Sequence, residues 1–169
     1  MLLPRELDGY DDIRAVGAVA LGALGLDTGM THMEWFRRPD GSVAVSEVAA
    51  RPPGAQFTTL LSFAHDTDFY AAWPRLMVEN RFDPPPRRWA VGAAYVRGQG
   101  QGRVRRIHGL ATAERELGAL VVEARLPAPG AAQGAGYEGA GHVILRHAET
   151  AVVEAALRRL VTLIRVELE

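Results

Sequence analysis

Apolar residues near the start of the chain recur at helical spacing. Ile13, Val16, Val19, Ala20, Ala23 and Leu24 share one face, Asp11 or Asp12 is placed to cap the start, and Gly25 to end it. The pattern predicts a helix with a buried apolar face. From residue 28 the period shortens, and two extended runs, 31–38 and 42–50, flank Pro39-Asp40-Gly41, which predicts a β-hairpin. Pro52-Pro53-Gly54 ends the second run. Helical spacing returns over 58–64 and 68–80, with Asp66 or Thr67 as the cap of the second helix and Pro74 predicting a kink or early break within it.

Residues 81–88 carry Pro84-Pro85-Pro86, which continues neither helix nor sheet, so they divide the chain into expected domains 1–82 and 88–169. Beyond them, 89–96, 103–108, 120–126 and 142–147 predict short strands, and Gly98-Gln99-Gly100-Gln101-Gly102 predicts a hairpin turn between the first two. The stretch 129–141 is a long Gly-rich loop. The chain closes with a helix from Thr150, whose Val153, Ala156, Leu157, Leu160 and Ile164 form one apolar face. The expected class is α+β, and no internal repeat interrupts it.

Composition narrows the chemistry. With 169 residues and a formal net charge of -1, the chain carries no basic excess to attract nucleic acid or an anionic membrane. Cysteine is absent, which removes disulfides, thiolate metal sites and thiol nucleophiles. All 19 basic side chains are arginine, so neither Schiff-base chemistry nor a lysine clamp on phosphate is available from this chain. The apolar stretch 15–26 is preceded by Asp8, Asp11 and Asp12, where a secretory signal wants positive charge, and it is shorter than the roughly 20 residues a spanning helix needs. The default compartment is the cytoplasm.

The hairpin holds the clearest chemical signal. A two-residue Asp40-Gly41 turn would pair Pro39 with Ser42, Arg38 with Val43, Phe36 with Val45 and Glu34 with Glu47. Two carboxylates directly opposed on one face repel each other and call for a cation, a proton or solvent screening. A divalent ion such as magnesium suits them, because it takes one or two carboxylates and completes its shell with water and phosphate oxygens. Alternation along the strand puts Ala49 and Arg51 on the same side, and Gly54 can present backbone N–H groups to an anion. Two other readings stay open at this point. A three-residue loop with Gly41 as a bulge would place Glu34 opposite Ser46, and solvated glutamates on an exposed strand face need no ligand at all.

Taken together, Ala23-Leu24-Gly25-Leu26, His32-Met33-Glu34 and Glu47-Val48-Ala49-Ala50-Arg51-Pro52-Pro53-Gly54 resemble the C-terminal half of the ATP-grasp superfamily, in particular its carboxylate-amine ligases, including amino-acid ligases. The resemblance implies a C-terminal ATP-grasp subdomain of antiparallel sheet and helices, then a small β-rich subdomain ending in a helix, with the N-terminal parts absent. It implies Glu34 and Glu47 as ligands of Mg2+ or Mn2+, Arg51 as the catalytic group that steadies the phosphoryl group or acyl phosphate, and Arg51 with Gly54 as contacts to the co-substrate ATP. The implied reaction activates a small carboxylate as an acyl phosphate, which a small amine substrate then attacks. Two departures stand out. Ala49 occupies a position where many members carry an asparagine metal ligand, and only Met1 to Tyr10 precede the first matching helix. The front half of the clamp, with its lysines and Gly-rich loop, is therefore expected from elsewhere, as a missing N-terminal part or a partner chain.

Other residues add less. His65-Asp66-Thr67-Asp68 is expected to be a helix junction with capping aspartates rather than a substrate contact. His32 is expected to be a polar strand residue with room for a water-mediated role. His108, His142 and His147 lack the spacing of a metal cage, and Gly98 to Gly102 lacks the following helix that a dinucleotide fingerprint requires. Trp35, Trp73 and Trp89 are expected in a core or at a subdomain interface. Besides the ligase, the residues admit a noncatalytic module derived from the same fold and serving in oligomerisation, homo-oligomers included, or regulation. A small-molecule binding domain unrelated to ATP would need the two glutamates to point apart.

Overall fold

The computed structural model describes residues 1–134, 136 and 138–169. Among them are β1 (Leu2–Leu3), α1 (Asp11–Ala23), β2 (His32–Arg37), β3 (Val43–Ala49), α2 (Phe57–His65), α3 (Phe69–Glu79), β4 (Ala90–Val96), β5 (Val104–His108), α4 (Leu110–Leu117), β6 (Val121–Arg125), β7 (Gly141–His147), α5 (Thr150–Leu163) and β8 (Arg165–Leu168). The class is α+β with antiparallel sheets, as the sequence predicts. The chain divides into two compact units. A sheet unit comprises Met1–Arg5, Phe63–Asp66 and Pro86–Glu169, and a hairpin unit comprises Glu6–Ser62 and Thr67–Pro85.

In the sheet unit four antiparallel strands run in the order β1-β4-β7-β6, and β5 and β8 form a separate ribbon. The pairing of β4 with β7 is unbroken from Ala90 opposite His147 to Val96 opposite Gly141. Ala90, Ala94 and Val96 of β4 and Val143 and Leu145 of β7 form one core with Val153, Ala156 and Leu160 of α5 and Ala113 and Leu117 of α4. Each such aliphatic side chain larger than alanine contributes about 1.5–3 kcal/mol when fully buried. Gly92 is the strand position that lets α5 approach, since a Cβ there would collide with the Leu157 side chain.

The expected turn at Gly98 to Gly102 is corrected. β4 already has β1 and β7 as neighbours, β5 pairs with β8, and β4 and β5 do not pair. Instead Gly98 bridges to Val166 in parallel, and its N–H donates to Gln133 Oε1 at 2.6 Å. The sequence reading also missed α4, β1 and β8, which are short and follow no long periodic pattern. The expected loop 129–141 lies partly outside the described residues, at Ala135 and Tyr137.

In the hairpin unit, β2 and β3 form a two-stranded antiparallel ribbon with α1 against β3. The expected buried face on α1 is corrected. Val19 is 74% and Leu24 67% exposed, and Gly17, over which Met33 lies, is the helix's buried residue. Helix α3 runs through Pro74 to Glu79 without the expected break. Its cap is Asp68 rather than Asp66 or Thr67, accepting from Tyr70 N at 2.8 Å and Ala71 N at 3.1 Å. Ser62 joins α2 to α3 by donating to Thr58 O and accepting from Phe69 N. No described helix is long and apolar enough to cross a membrane.

Candidate carboxylate site on the hairpin

Glu34 of β2 and Glu47 of β3 are cross-strand partners, as predicted, but by a different route. The turn is the three-residue alternative. Gly41 takes φ +85°, its N–H donates to Arg38 O at 2.9 Å, and Arg38 N donates to Ser42 O at 2.8 Å. Asp40 Oδ1 accepts from both the N–H and the hydroxyl of Ser42, which locks the bend. Arg37 therefore pairs with Val43 and Phe36 with Ala44, one residue off the two-residue register. That shift alone would bring Glu34 opposite Ser46. A second irregularity between Glu34 and Trp35 leaves Ser46 unpaired and restores Glu34 opposite Glu47.

Both carboxylates are exposed, and among the described residues neither makes an ion pair or side-chain hydrogen bond. The ribbon does hold a cation, but elsewhere. Arg37 reaches Asp12 with both guanidinium nitrogens, at 2.7 and 3.2 Å, and this fork holds the Asp12 carboxyl below its ordinary value. Arg37 thus fastens the turn end of the ribbon to the start of α1 and leaves Glu34 and Glu47 uncompensated.

Arg51 lies two residues beyond the end of β3, exposed, with Nη1 donating to Pro52 O at 3.0 Å and no carboxylate partner among the described residues. The segment that follows is strained. Ala55 and Gln56 have φ of +52° and +64°, consecutive left-handed conformations that cost a non-glycine residue about 1–2 kcal/mol each. The buried Thr58 helps to hold this bend by donating to Pro53 O at 2.9 Å, and Phe57 N donates to Gly54 O at 3.0 Å. A Cβ at Gly54 would meet nothing within 4 Å, so open space faces it. Strain of this kind concentrates where backbone must be held ready for a ligand. Nothing in the sequence foretold it, because neither Ala55 nor Gln56 is a residue type that favours positive φ.

His32, two positions before Glu34, packs its ring against Phe57 with centroids 6.0 Å apart, and its Nδ1 is buried without a hydrogen-bond partner. Asp66 of the expected junction instead belongs to the sheet unit. It takes φ +51° and accepts from Trp89 Nε1 at 2.7 Å and Arg146 Nη1 at 2.6 Å. These bonds, Trp89's foremost, hold its carboxyl below its ordinary value. His142 is buried and bonded to Glu123 at 2.8 Å, and His108 is bonded to Glu167 at 2.8 Å. Among the described residues no three His, Asp or Glu side chains gather as a complete metal cage. The donor set on the ribbon is thus two opposed carboxylates. That number fits an ion which takes one or two carboxylates and fills the rest of its octahedron with water and phosphate oxygens, and does not fit a zinc or calcium cage.

No family model matches the chain, and no curated protein does. Solved structures do. The L-amino acid ligase from Bacillus licheniformis is similar with a TM-score of 0.72 at 21% identity, over 99% of this chain and 45% of that one. The phosphoribosylglycinamide synthetase from Anaerococcus prevotii gives 0.71 at 16% identity, over 99% and 44%. The N5-carboxyaminoimidazole ribonucleotide synthetase from Thermotoga maritima gives 0.67 at 18%, over 98% and 44%. The likeness is one of fold, and the chain spans less than half the length of these enzymes.

Proposed function

Because this chain carries part of the ATP-grasp fold, we propose that it is the metal-and-phosphate side of an ATP-dependent carboxylate-amine ligase. The observation that carries the reading is the restored pairing of Glu34 with Glu47. Two irregularities cancel, and the result is a like-charged pair on an exposed face with no ion-pair partner among the described residues.

In this reading Glu34 and Glu47 hold Mg2+ or Mn2+, which supplies charge neutralisation on the phosphates of ATP. Arg51 has donors to spare after its single bond to Pro52 O, and grips an oxygen of the transferring phosphoryl group or of the acyl phosphate. Gly54 lets the backbone approach an anion at the strained bend. A small carboxylate attacks the terminal phosphorus of ATP, giving an acyl phosphate and ADP. A small amine then attacks the acyl carbon, forming the amide bond and releasing inorganic phosphate. Arg51 stabilises charge in the first step and orients the mixed anhydride for the second. The cation-binding pair tolerates Ala49, since water can take the place of a third protein oxygen.

The chain has no lysine and aligns with less than half of each neighbour, so the phosphate-binding lysines and the rest of the nucleotide pocket come from another polypeptide segment. The compartment that goes with such substrates is the cytoplasm. The test is acyl-phosphate trapping with hydroxylamine in the completed enzyme. Glu47→Gln should abolish hydroxamate formation with the fold intact, and normal hydroxamate yield in that variant would remove the metal assignment. The isolated chain should show no ATP turnover, and unaided turnover would remove the half-site reading.

A further inference from the structure

Beside the closed core of the sheet unit the packing leaves a cavity of about 440 Å³, far larger than the water-sized voids of an ordinary interior. Its lining explains it. Leu110, Glu114 and Gly118 follow one another at four-residue spacing and so share one side of α4 and the turn after it. On β6 the irregularity between Val121 and Glu123 brings Val121 opposite Leu145 and Ala124 opposite Val143, so both turn toward the side of the sheet that α5 covers. Ala113, Gly118 and Ala124 are too small to fill the space between these walls, and the buried Val143 and Leu160 line it from the core.

Two features of the walls point to a ligand. Among the described residues, three large hydrophobics stand exposed in the sheet unit, and two of them, Leu110 at 36% and Leu126 at 39%, border this cavity. The second feature is charge. Glu116 is held by Arg159 at 2.8 Å, whereas Glu114 lines the cavity with no ion pair or side-chain hydrogen bond among the described residues. An apolar hollow of this size with one charged group on its wall has the form of a small-molecule site.

We propose that this cavity binds a compact hydrophobic amine, with its ammonium group against the Glu114 carboxylate and its hydrocarbon body between Leu110 and Leu126. Charge selects the occupant. An alcohol of the same shape leaves Glu114 without a counter-ion, and an acid of the same shape is repelled by it. Every residue involved belongs to the sheet unit, so the site stands apart from the ligase reading and from Glu34 and Glu47.

The probes are phenethylamine, 2-phenylethanol and phenylacetate, added to the full chain and followed through backbone amide shifts. Phenethylamine should shift the amides of 110–118 and 121–126 saturably and bind about tenfold more tightly than 2-phenylethanol, with phenylacetate weaker than both. Glu114→Gln should bring the amine down to the affinity of the alcohol and leave the alcohol unchanged. Gly118→Leu should weaken amine and alcohol alike. Gly118 has helical backbone, φ −54°, and a Cβ there would meet the Glu114 Cγ at an ordinary 3.7 Å, which leaves a longer side chain room to enter the cavity. The absence of saturable shifts in these segments, equal affinity for the three probes, or an amine preference that survives Glu114→Gln would each overturn the proposal. So would self-association of the chain that protects these segments and excludes the amine.

Discussion

In the sheet unit, six of the seven residues of β4 are buried, and β7 buries four in a row from His142 to Leu145. In the hairpin unit, β2 and β3 bury none fully, and the burial that exists comes from Gly17 on α1 and from Thr58, Leu60, Phe69 and Leu76 on α2 and α3. Among the described residues, ten of the thirteen large hydrophobics that stand exposed belong to the hairpin unit, from Leu7 to Phe82, and three to the sheet unit. The sheet unit has closed its core. The hairpin unit leaves most of its large apolar side chains exposed or half-buried, and the proposed chemistry sits there.

The largest expected effect breaks the closed core. Leu145→Ala should cost about 2–5 kcal/mol in denaturant unfolding, because Leu145 is fully buried among core side chains that can collapse only in part. The second concerns Asp66, whose carboxylate holds Trp89 and Arg146. Its folded-state pKa is lowered, so its contribution is present above the ordinary carboxylate value and is lost as pH falls through the folded value. Asp66→Asn should lower the melting temperature at neutral pH by less than Leu145→Ala does, and should remove this component of acid sensitivity in a pH series.

The same truncation in the other unit should do far less. Leu24→Ala should change unfolding by no more than roughly 0.5 kcal/mol, as for other exposed positions. A loss comparable to that of Leu145→Ala would show that α1 has a buried face after all, and the contrast between the units would collapse. The smallest effect lies at the site itself. Glu34→Gln should slightly raise the stability of the isolated chain at low salt through relief of like-charge repulsion, with the gain fading as salt is added.

Much of the architecture was legible because periodicity reports burial directly. The strands β4, β6 and β7 and the helix α5 are runs whose apolar spacing matches the core they enter. α1 shows the limit of that rule, since Val19 and Leu24 follow a helical period yet stay exposed. Apolar periodicity marks a face that can be covered, whichever segment does the covering. The pairing of Glu34 with Glu47 was legible only in outcome. A turn of Pro39, Asp40 and Gly41 and an unpaired Ser46 each shift the register by one, and no local residue type announces the second. The left-handed Ala55 and Gln56 were invisible for the same reason, being fixed by Thr58 and the start of α2 rather than by their own preferences. Asp68 as the cap of α3 was within reach, because it stands directly before the first helical residue and its side chain serves two N–H groups.

The most direct measurement is a manganese titration followed by electron paramagnetic resonance. The wild-type chain should remove one equivalent of free Mn2+ signal in a saturable way that Mg2+ reverses, and Glu34→Gln and Glu47→Gln should each weaken that binding at least tenfold. Equal affinity in wild type and both variants would contradict the account, because the ion would then be held by other groups.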